Sequence, residues 1–199
     1  MKFLNKIPSI THTQTFIQHF HNAIPEDLCA SILDNIQDHA GWDPHRWQYE
    51  KDSDNTTHSS DPECKLYTNT PLNNIIDKCI NEYTKIQTQR YHEMGIDAGW
   101  EVTEFTAPRW NKYTSGNDMK YHVDHIYSAI NEQSNGGVPL YSILGLITDE
   151  FEGGNFVLSG NTIPLNKGDI LIWPSNFLYP HQVLPISNGT RISFVSWAW

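Results

Sequence analysis

His122-Val123-Asp124 places an imidazole and a carboxylate two residues apart. In a β-strand, residues i and i+2 point to one face, so this pair can share a single metal ion. By itself the pattern says little, since ten His and 23 acidic residues in 199 positions give about one His-x-Asp or His-x-Glu by chance. The plain alternative is a surface histidine beside an aspartate. A second histidine, His181 in the late segment LYPHQVLPI, adds weight. Two His and one carboxylate from adjoining strands make a facial triad that leaves three coordination positions open, the arrangement that suits Fe(II) and dioxygen. Arg191 follows ten residues after His181, across Ser187-Asn188-Gly189. If the flanking strands form a hairpin about that turn, Arg191 lies about four to five residues along from the position facing His181, or about 15 Å of backbone. A chelating dicarboxylate plus an arginine side chain spans that distance, and a guanidinium is the bidentate partner for its far carboxylate. The run RISFVSWAW otherwise alternates as a buried strand, so an inward Arg191 needs an anionic partner. The alternative is that Arg191 is the exposed first residue of its strand.

These residues must be held by something that folds. The chain is 38% hydrophobic and 12% aromatic, with seven Trp, nine Tyr and eight Phe, a composition able to bury a sizeable core. Its length favours one domain spanning 1–199, with a helical support region over 1–98 and the chemistry-bearing core over 99–199. Thirteen Lys and Arg against 23 Asp and Glu leave a formal charge of -10. A field of that sign repels phosphate, so neither nucleic acid nor an anionic membrane surface is an expected partner. Cys29, Cys64 and Cys79 show no CxxC spacing, which argues against a disulfide scaffold or a cysteine-ligated zinc site. The N-terminal stretch MKFLNKIPSITHTQTF lacks the apolar run of a signal peptide, and no window resembles a membrane span. The expectation is a soluble, cytoplasmic protein.

Two helices are predicted in the first half. Over 25–40, Pro25, Glu26 and Asp27 suit a first turn, Leu28, Ile32, Leu33 and Ile36 recur at helical spacing, and Gly41 is a stop. From Thr70 and Pro71, the residues Leu72, Ile75, Ile76, Cys79, Ile80 and Tyr83 form one apolar stripe before Gly95. The polar stretch 50–64 reads as a loop. After Gly99 the pattern changes to about eight short strands punctuated by glycine and asparagine. The sum is an α+β, mainly β architecture, with helices backing an antiparallel sandwich or barrel. Lys167-Gly168-Asp169 reads as a hairpin turn and Gly153-Gly154 as a turn needing positive φ. Trp110, Tyr127 and Trp173 are candidates to line a cleft, and the polar loop 126–137 is a candidate lid.

The segment from Arg109 to Trp199 resembles the catalytic core of Fe(II)- and 2-oxoglutarate-dependent dioxygenases, in their prolyl 4-hydroxylase-like branch. The resemblance runs in order through RWNKYTSGNDMKYHVDH, YSILGLITDEFEGGNFVL and LNKGDILIWPSNFLYPHQVLPISNGTRISFVSW. It implies a double-stranded β-helix (jelly-roll barrel), with Fe(II) held by His122, Asp124 and His181. It also implies that 2-oxoglutarate is supported by Arg191 and Tyr113, with Ser193 as the second polar residue of an Arg-x-Ser pair, and that O2 is the third reactant. Animal collagen-type members carry lysine where Arg191 stands, so the arginine places the chain nearer bacterial relatives. Retention of Asp124 argues against the halogenases, which replace the acidic ligand. The implied reaction is hydroxylation of a prolyl residue in a peptide or protein, with succinate and CO2 released. The rivals are a hydroxylase of a free amino acid or other small molecule, a non-catalytic jelly-roll metal-binding module, and a nucleic-acid demethylase, which the charge disfavours.

Overall fold

The computed structural model describes residues 13–36, 38–48, 57–64, 71–97, 101–124 and 138–199. Helix α1 spans Glu26–Ile36 and α2 spans Pro71–Glu93. α1 buries Cys29, Ile32 and Ile36. It ends five residues before the expected stop at Gly41, because the Ile36 carbonyl accepts from the His39 N–H at 3.2 Å and from the Trp42 indole N–H at 2.7 Å. α2 buries the expected stripe, with Leu72, Ile76, Cys79, Ile80 and Tyr83 all in the core. Its end is closed by Gly95 at φ 77°, with Ile96 N–H bonding the Tyr91 carbonyl and Gly95 N–H that of His92. That is the paired closure a left-handed residue after a helix permits.

Among the described residues, twelve strands make two antiparallel sheets. The larger contains β1 (Gln18–Phe20), β10 (Ile170–Pro174), β6 (Tyr141–Leu146), β12 (Ile186–Ala198), β4 (Arg109–Thr114), β3 (Thr57–Cys64) and β2 (Trp42–Gln48) in that order, with β7 (Phe151–Gly153) paired to β12. The smaller is β5 (Met119–His122), β11 (His181–Val183), β8 (Phe156–Leu158) and β9 (Asn161–Ile163). This is the double-stranded β-helix arrangement with two backing helices, built as facing sheets. No helix among the described residues is long and apolar enough to cross a membrane.

Strand alternation divides the large sheet's side chains between two cores. Trp110, Ile143, Ile170, Ile172, Ile192 and Phe194 pack with α1 and α2 on one face. Tyr113, Leu144, Leu171 and Trp173 point the other way and meet Met119, Phe156, Leu158 and Val183 of the small sheet. On β12 this puts Arg191, Ser193, Val195 and Trp197 on the face toward the small sheet.

Four expectations need correction. The boundary near residue 99 does not separate helices from sheet, because β1, β2 and β3 come from the first half and join the large sheet. Part of the expected loop 50–64 is strand β3, pairing with β2 on one side and β4 on the other. The hairpin about Ser187-Asn188-Gly189 does not form: those residues lie inside β12, while β11 pairs with β5 and β8 in the other sheet. There the chain shifts register between Ile186 and Asn188 against β7, and Gly189 adopts φ 78° where a Cβ would come within 2.2 Å of the Glu150 carbonyl. Lys167-Gly168-Asp169 is a turn, but it connects strands of different sheets and so closes no hairpin. The candidate lid 126–137 and Tyr127 lie outside the described residues.

Candidate metal centre and active site

β5 and β11 are neighbours, and their register sets His122 directly opposite His181. The two rings lie 4.3 Å apart between centroids. Asp124 follows just past the end of β5 and completes the group: Asp124 Oδ1 is 3.8 Å from His122 Nε2 and 3.8 Å from His181 Nε2. Each histidine is oriented by its other nitrogen. His122 Nδ1 donates to the Lys120 carbonyl at 2.7 Å and His181 Nδ1 to the Tyr179 carbonyl at 3.1 Å. A carbonyl only accepts, so the proton sits on Nδ1 and both Nε2 lone pairs are left to point at Asp124.

The carboxylate is oriented in the same way. Ser142 Oγ donates to Asp124 Oδ2 at 2.7 Å and the Trp197 indole N–H donates at 3.0 Å. Ser142 and Trp197 are cross-strand partners of β6 and β12, so one rung of the large sheet fixes one oxygen. Oδ1 is then presented to the histidines. Two Nε2 atoms and one carboxylate oxygen, each steered from behind, fit a first-row divalent ion with open positions. Sequence reading named the three residues that the structure brings together but not Ser142 or Trp197. The signal was available for Trp197, which shares the i, i+2 face of Arg191 and Ser193.

Burial and mutual charge tune the group. Loss of solvation, reinforced by the neighbouring His181 and opposed by Asp124, brings His122 down from 6.5 to about 4. Burial alone would raise the Asp124 carboxyl, but His181, His122 and the bonds from Ser142 and Trp197 outweigh it and hold the group at about 2. Near neutral pH the site therefore offers a neutral His122 and an ionised Asp124, the forms that bind metal. In the metal-free protein this makes stability fall on acidification. The unfolded chain protonates His122 near 6.5 while the folded chain resists until about 4. The penalty grows as pH falls through that window and reaches about 3 kcal/mol below it. Asp124 adds a loss of the same sign between 3.8 and about 2. Urea titrations of metal-free protein at pH 7 and pH 4.5 are expected to show this drop, and His122→Asn to remove most of its upper part.

Arg191, Tyr113 and Ser193 sit together. Arg191 and Tyr113 are register partners on β12 and β4, and the guanidinium carbon lies 5.3 Å from the centre of the tyrosine ring. Arg191 Nη1 donates to Ser193 Oγ at 2.8 Å. All three are buried, Arg191 to 1% exposure. The inward, buried Arg191 expected from alternation is what the structure contains, although the register now comes from β4 and not from a hairpin with β11. Gly154 supports this seat: at φ 61°, a Cβ there would stand 3.1 Å from Arg191 Cδ and 2.2 Å from Ile186 Cδ1.

A small cavity between the sheets, about 30 Å³, is lined by the triad with Tyr113, Arg109, Asn111, Trp173, Phe156 and Trp197 among others. Arg191 and Ser193 lie behind Tyr113 and are not part of its lining. Trp173 packs edge-on against His181 at 5.2 Å, whereas Trp110 faces the helices and meets Phe194 edge-to-face. Arg109, which sequence reading did not single out, lies over the Trp197 ring at 4.8 Å. Larger clefts of about 730 and 500 Å³ occur near Asp149 and Lys167, but neither contains three converging ligand atoms. The chemistry belongs to the small cavity.

Known proteins resemble this chain both in sequence and in fold. The sequence model of the 2OG-Fe(II) oxygenase superfamily matches residues 108–199. Over that segment the chain is similar to the 2OG-Fe(II) oxygenases. The superfamily implies Fe(II), 2-oxoglutarate and O2, and the His122, Asp124 and His181 donors suit such an ion. A PKHD-type hydroxylase of Shewanella oneidensis is 33% identical over 113 residues, covering 53% of this chain and 48% of the relative. One from Janthinobacterium is 24% identical over 115 residues, covering 53% and 48%. The chain thus spans about half the length of these relatives. Among solved structures, a Pseudomonas putida prolyl-4-hydroxylase superposes with TM-score 0.59 at 14% identity, covering 92% of this chain and 91% of that one. A Trichoplax adhaerens prolyl hydroxylase in complex with a hypoxia inducible factor peptide fragment gives TM-score 0.65 at 13% identity, covering 93% and 84%. At these identities the two structures speak to the fold alone.

Proposed function

We propose that this chain is an Fe(II)- and 2-oxoglutarate-dependent hydroxylase acting on a prolyl residue in a peptide or protein. The observation that carries the oxygenase part is the convergence of His122 Nε2, His181 Nε2 and Asp124 Oδ1 in a cavity whose wall includes Tyr113, itself stacked on Arg191. His122, Asp124 and His181 would hold iron, which supplies the activation of dioxygen that drives oxidation of substrate. The residues around it orient and exclude. Lys120 and Tyr179 carbonyls fix the imidazoles, while Ser142 and Trp197 fix the carboxylate. The Tyr113 hydroxyl and the Arg191 guanidinium would bind the far carboxylate of 2-oxoglutarate, with Ser193 holding the guanidinium in place. Trp173 and Phe156 wall the metal site with rings and keep water out.

In this reading residues 1–199 form one domain, since α1 and α2 share a core with the large sheet. The prolyl substrate is suggested by the PKHD-type relatives and the prolyl hydroxylase neighbours. The narrowness of the cavity favours a second reading, a free amino acid or small molecule as substrate. Anaerobic addition of Fe(II) and then 2-oxoglutarate to the metal-free protein tests the first step. A visible iron-to-ketoacid charge-transfer band, absent in His181→Ala, supports the oxygenase reading. Iron binding with no band would put the non-catalytic metal module in its place. Succinate release stimulated by proline-containing peptides, and not by free amino acids, then separates the two substrates.

A further inference from the structure

We propose that His19, His21 and Asp169 form a second divalent-metal site, suited to Zn(II), that clasps β1 to the turn preceding β10. His19 lies on β1 and His21 just past its end, so alternation gives them one face. Phe20 pairs with Ile170, which brings His21 level with Asp169. His19 Nε2 is 2.8 Å and His21 Nδ1 3.6 Å from the same oxygen, Asp169 Oδ2. The two rings lie with centroids 3.9 Å apart, tilted by 39° to one another. One imidazole is enough to satisfy a carboxylate oxygen by hydrogen bonding. Two imidazole nitrogens converging on one oxygen, with all three donor atoms within 4.8 Å of one another, is how a metal is held.

The carboxylate is built as a ligand would be. Asp169 is 1% exposed. The Asn22 N–H donates to Oδ1 at 2.9 Å, the Asn166 N–H to Oδ2 at 2.9 Å, and the Asn166 side-chain amide reaches Oδ2 at 3.5 Å. These donors fix the plane of the carboxylate from behind, the support that metal-bound carboxylates receive. Solvent supplies the open side, because His19 is 18% and His21 64% exposed. Ligands about 2.0–2.1 Å from a tetrahedral ion stand about 3.3 Å apart, so His21 is already in range and His19 needs to withdraw by about half an ångström. A metal would then replace the proton shared by His19 and Asp169. Two imidazoles, one carboxylate and water are a zinc donor set, and zinc outranks Fe(II) at such ligands.

The site would do structural work. Among the described residues, β1 is a three-residue edge strand that pairs with β10 alone, and an ion bridging it to Asp169 would bind its end to the sheet. Because the iron centre has the same two-His-one-Asp set, the test counts metals. Equilibrium dialysis against micromolar zinc followed by elemental analysis is expected to give two zinc ions per wild-type chain. His21→Ala and Asp124→Ala should each retain one, and the double variant none. His21 is mostly exposed, so His21→Ala should leave the metal-free melting temperature within about 2 °C. Zinc should raise the melting temperature of Asp124→Ala but not of the double variant. One zinc in the wild type, or a count or zinc-dependent stabilisation that His21→Ala leaves unchanged, would overturn the proposal. Neither outcome depends on catalysis, so this site and the oxygenase reading can fail separately.

Discussion

Asp124→Ala is expected to reduce 2-oxoglutarate turnover to background while the protein keeps its fold. The substitution removes the one anionic donor and leaves two neutral imidazoles, which hold a divalent ion far less firmly. It also removes the Asp124 Oδ2 acceptor of the Trp197 indole N–H, whereas the Ser142 hydroxyl can turn to Ser175 Oγ at 3.0 Å. A buried donor without its acceptor costs about 1–3 kcal/mol, so a lower melting temperature should accompany the loss of activity. Ser142→Ala and Trp197→Phe separate orientation from ligation. Both keep the carboxylate but remove one of its anchors, and each is expected to weaken iron binding by about 10–100-fold without abolishing turnover at saturating iron. Iron titration monitored by succinate release and by circular dichroism checks all three variants. If Asp124→Ala retained full activity, the carboxylate would have to leave the ligand set.

What could be read in the sequence, and what could not, follows from where each signal resides. His122 and Asp124 are two residues apart, and the strand period puts them on one face wherever the strand lies. The stripe of α2 is likewise local, and every residue of it that the helix buries recurs at helical spacing. Strand β3 is invisible by the same logic. THSSDPEC has no apolar alternation, and what places it in the sheet is its backbone pairing to β2 and β4. Two prolines even face each other there, Pro44 and Pro62, beside a register shift. Ser187-Asn188-Gly189 misleads for a related reason. Positive φ at Gly189 is the signature of a hairpin turn, but a bulge within a continuing strand demands the same residue. The choice between them is made by β7, which pairs with β12 across this segment. Ser142 has no local signal at all, since its role depends on being opposite Trp197 in a sheet whose order is set by the whole chain.

The correction to that turn sharpens the expectation for Arg191. With β11 and β12 in different sheets, Arg191 and His181 stand on separate sheets instead of lying along one hairpin. A dicarboxylate bound to both must therefore cross between the sheets, past Tyr113, which stacks on the guanidinium and lines the cavity. Arg191→Ala is accordingly expected to raise the Kd for 2-oxoglutarate by about 30-fold to 1000-fold, the range for truncating one member of a buried charge pair at 2–4 kcal/mol. Iron affinity should change less than about threefold, because Arg191 is outside the lining of the cavity that contains the triad. Arg191→Lys should fall between, keeping the charge but losing the two-pronged geometry and the hydrogen bond to Ser193. Tyr113→Phe should cost less than either, as it removes a hydroxyl and keeps the ring. Calorimetric titration of 2-oxoglutarate into the manganese-loaded protein under anaerobic conditions gives these constants directly. Parallel loss of metal and co-substrate binding in Arg191→Ala would make the guanidinium a structural prop of β12 and Gly154. Loss confined to 2-oxoglutarate would make it the seat of the distal carboxylate, because only a group that meets the co-substrate and not the metal can separate the two affinities.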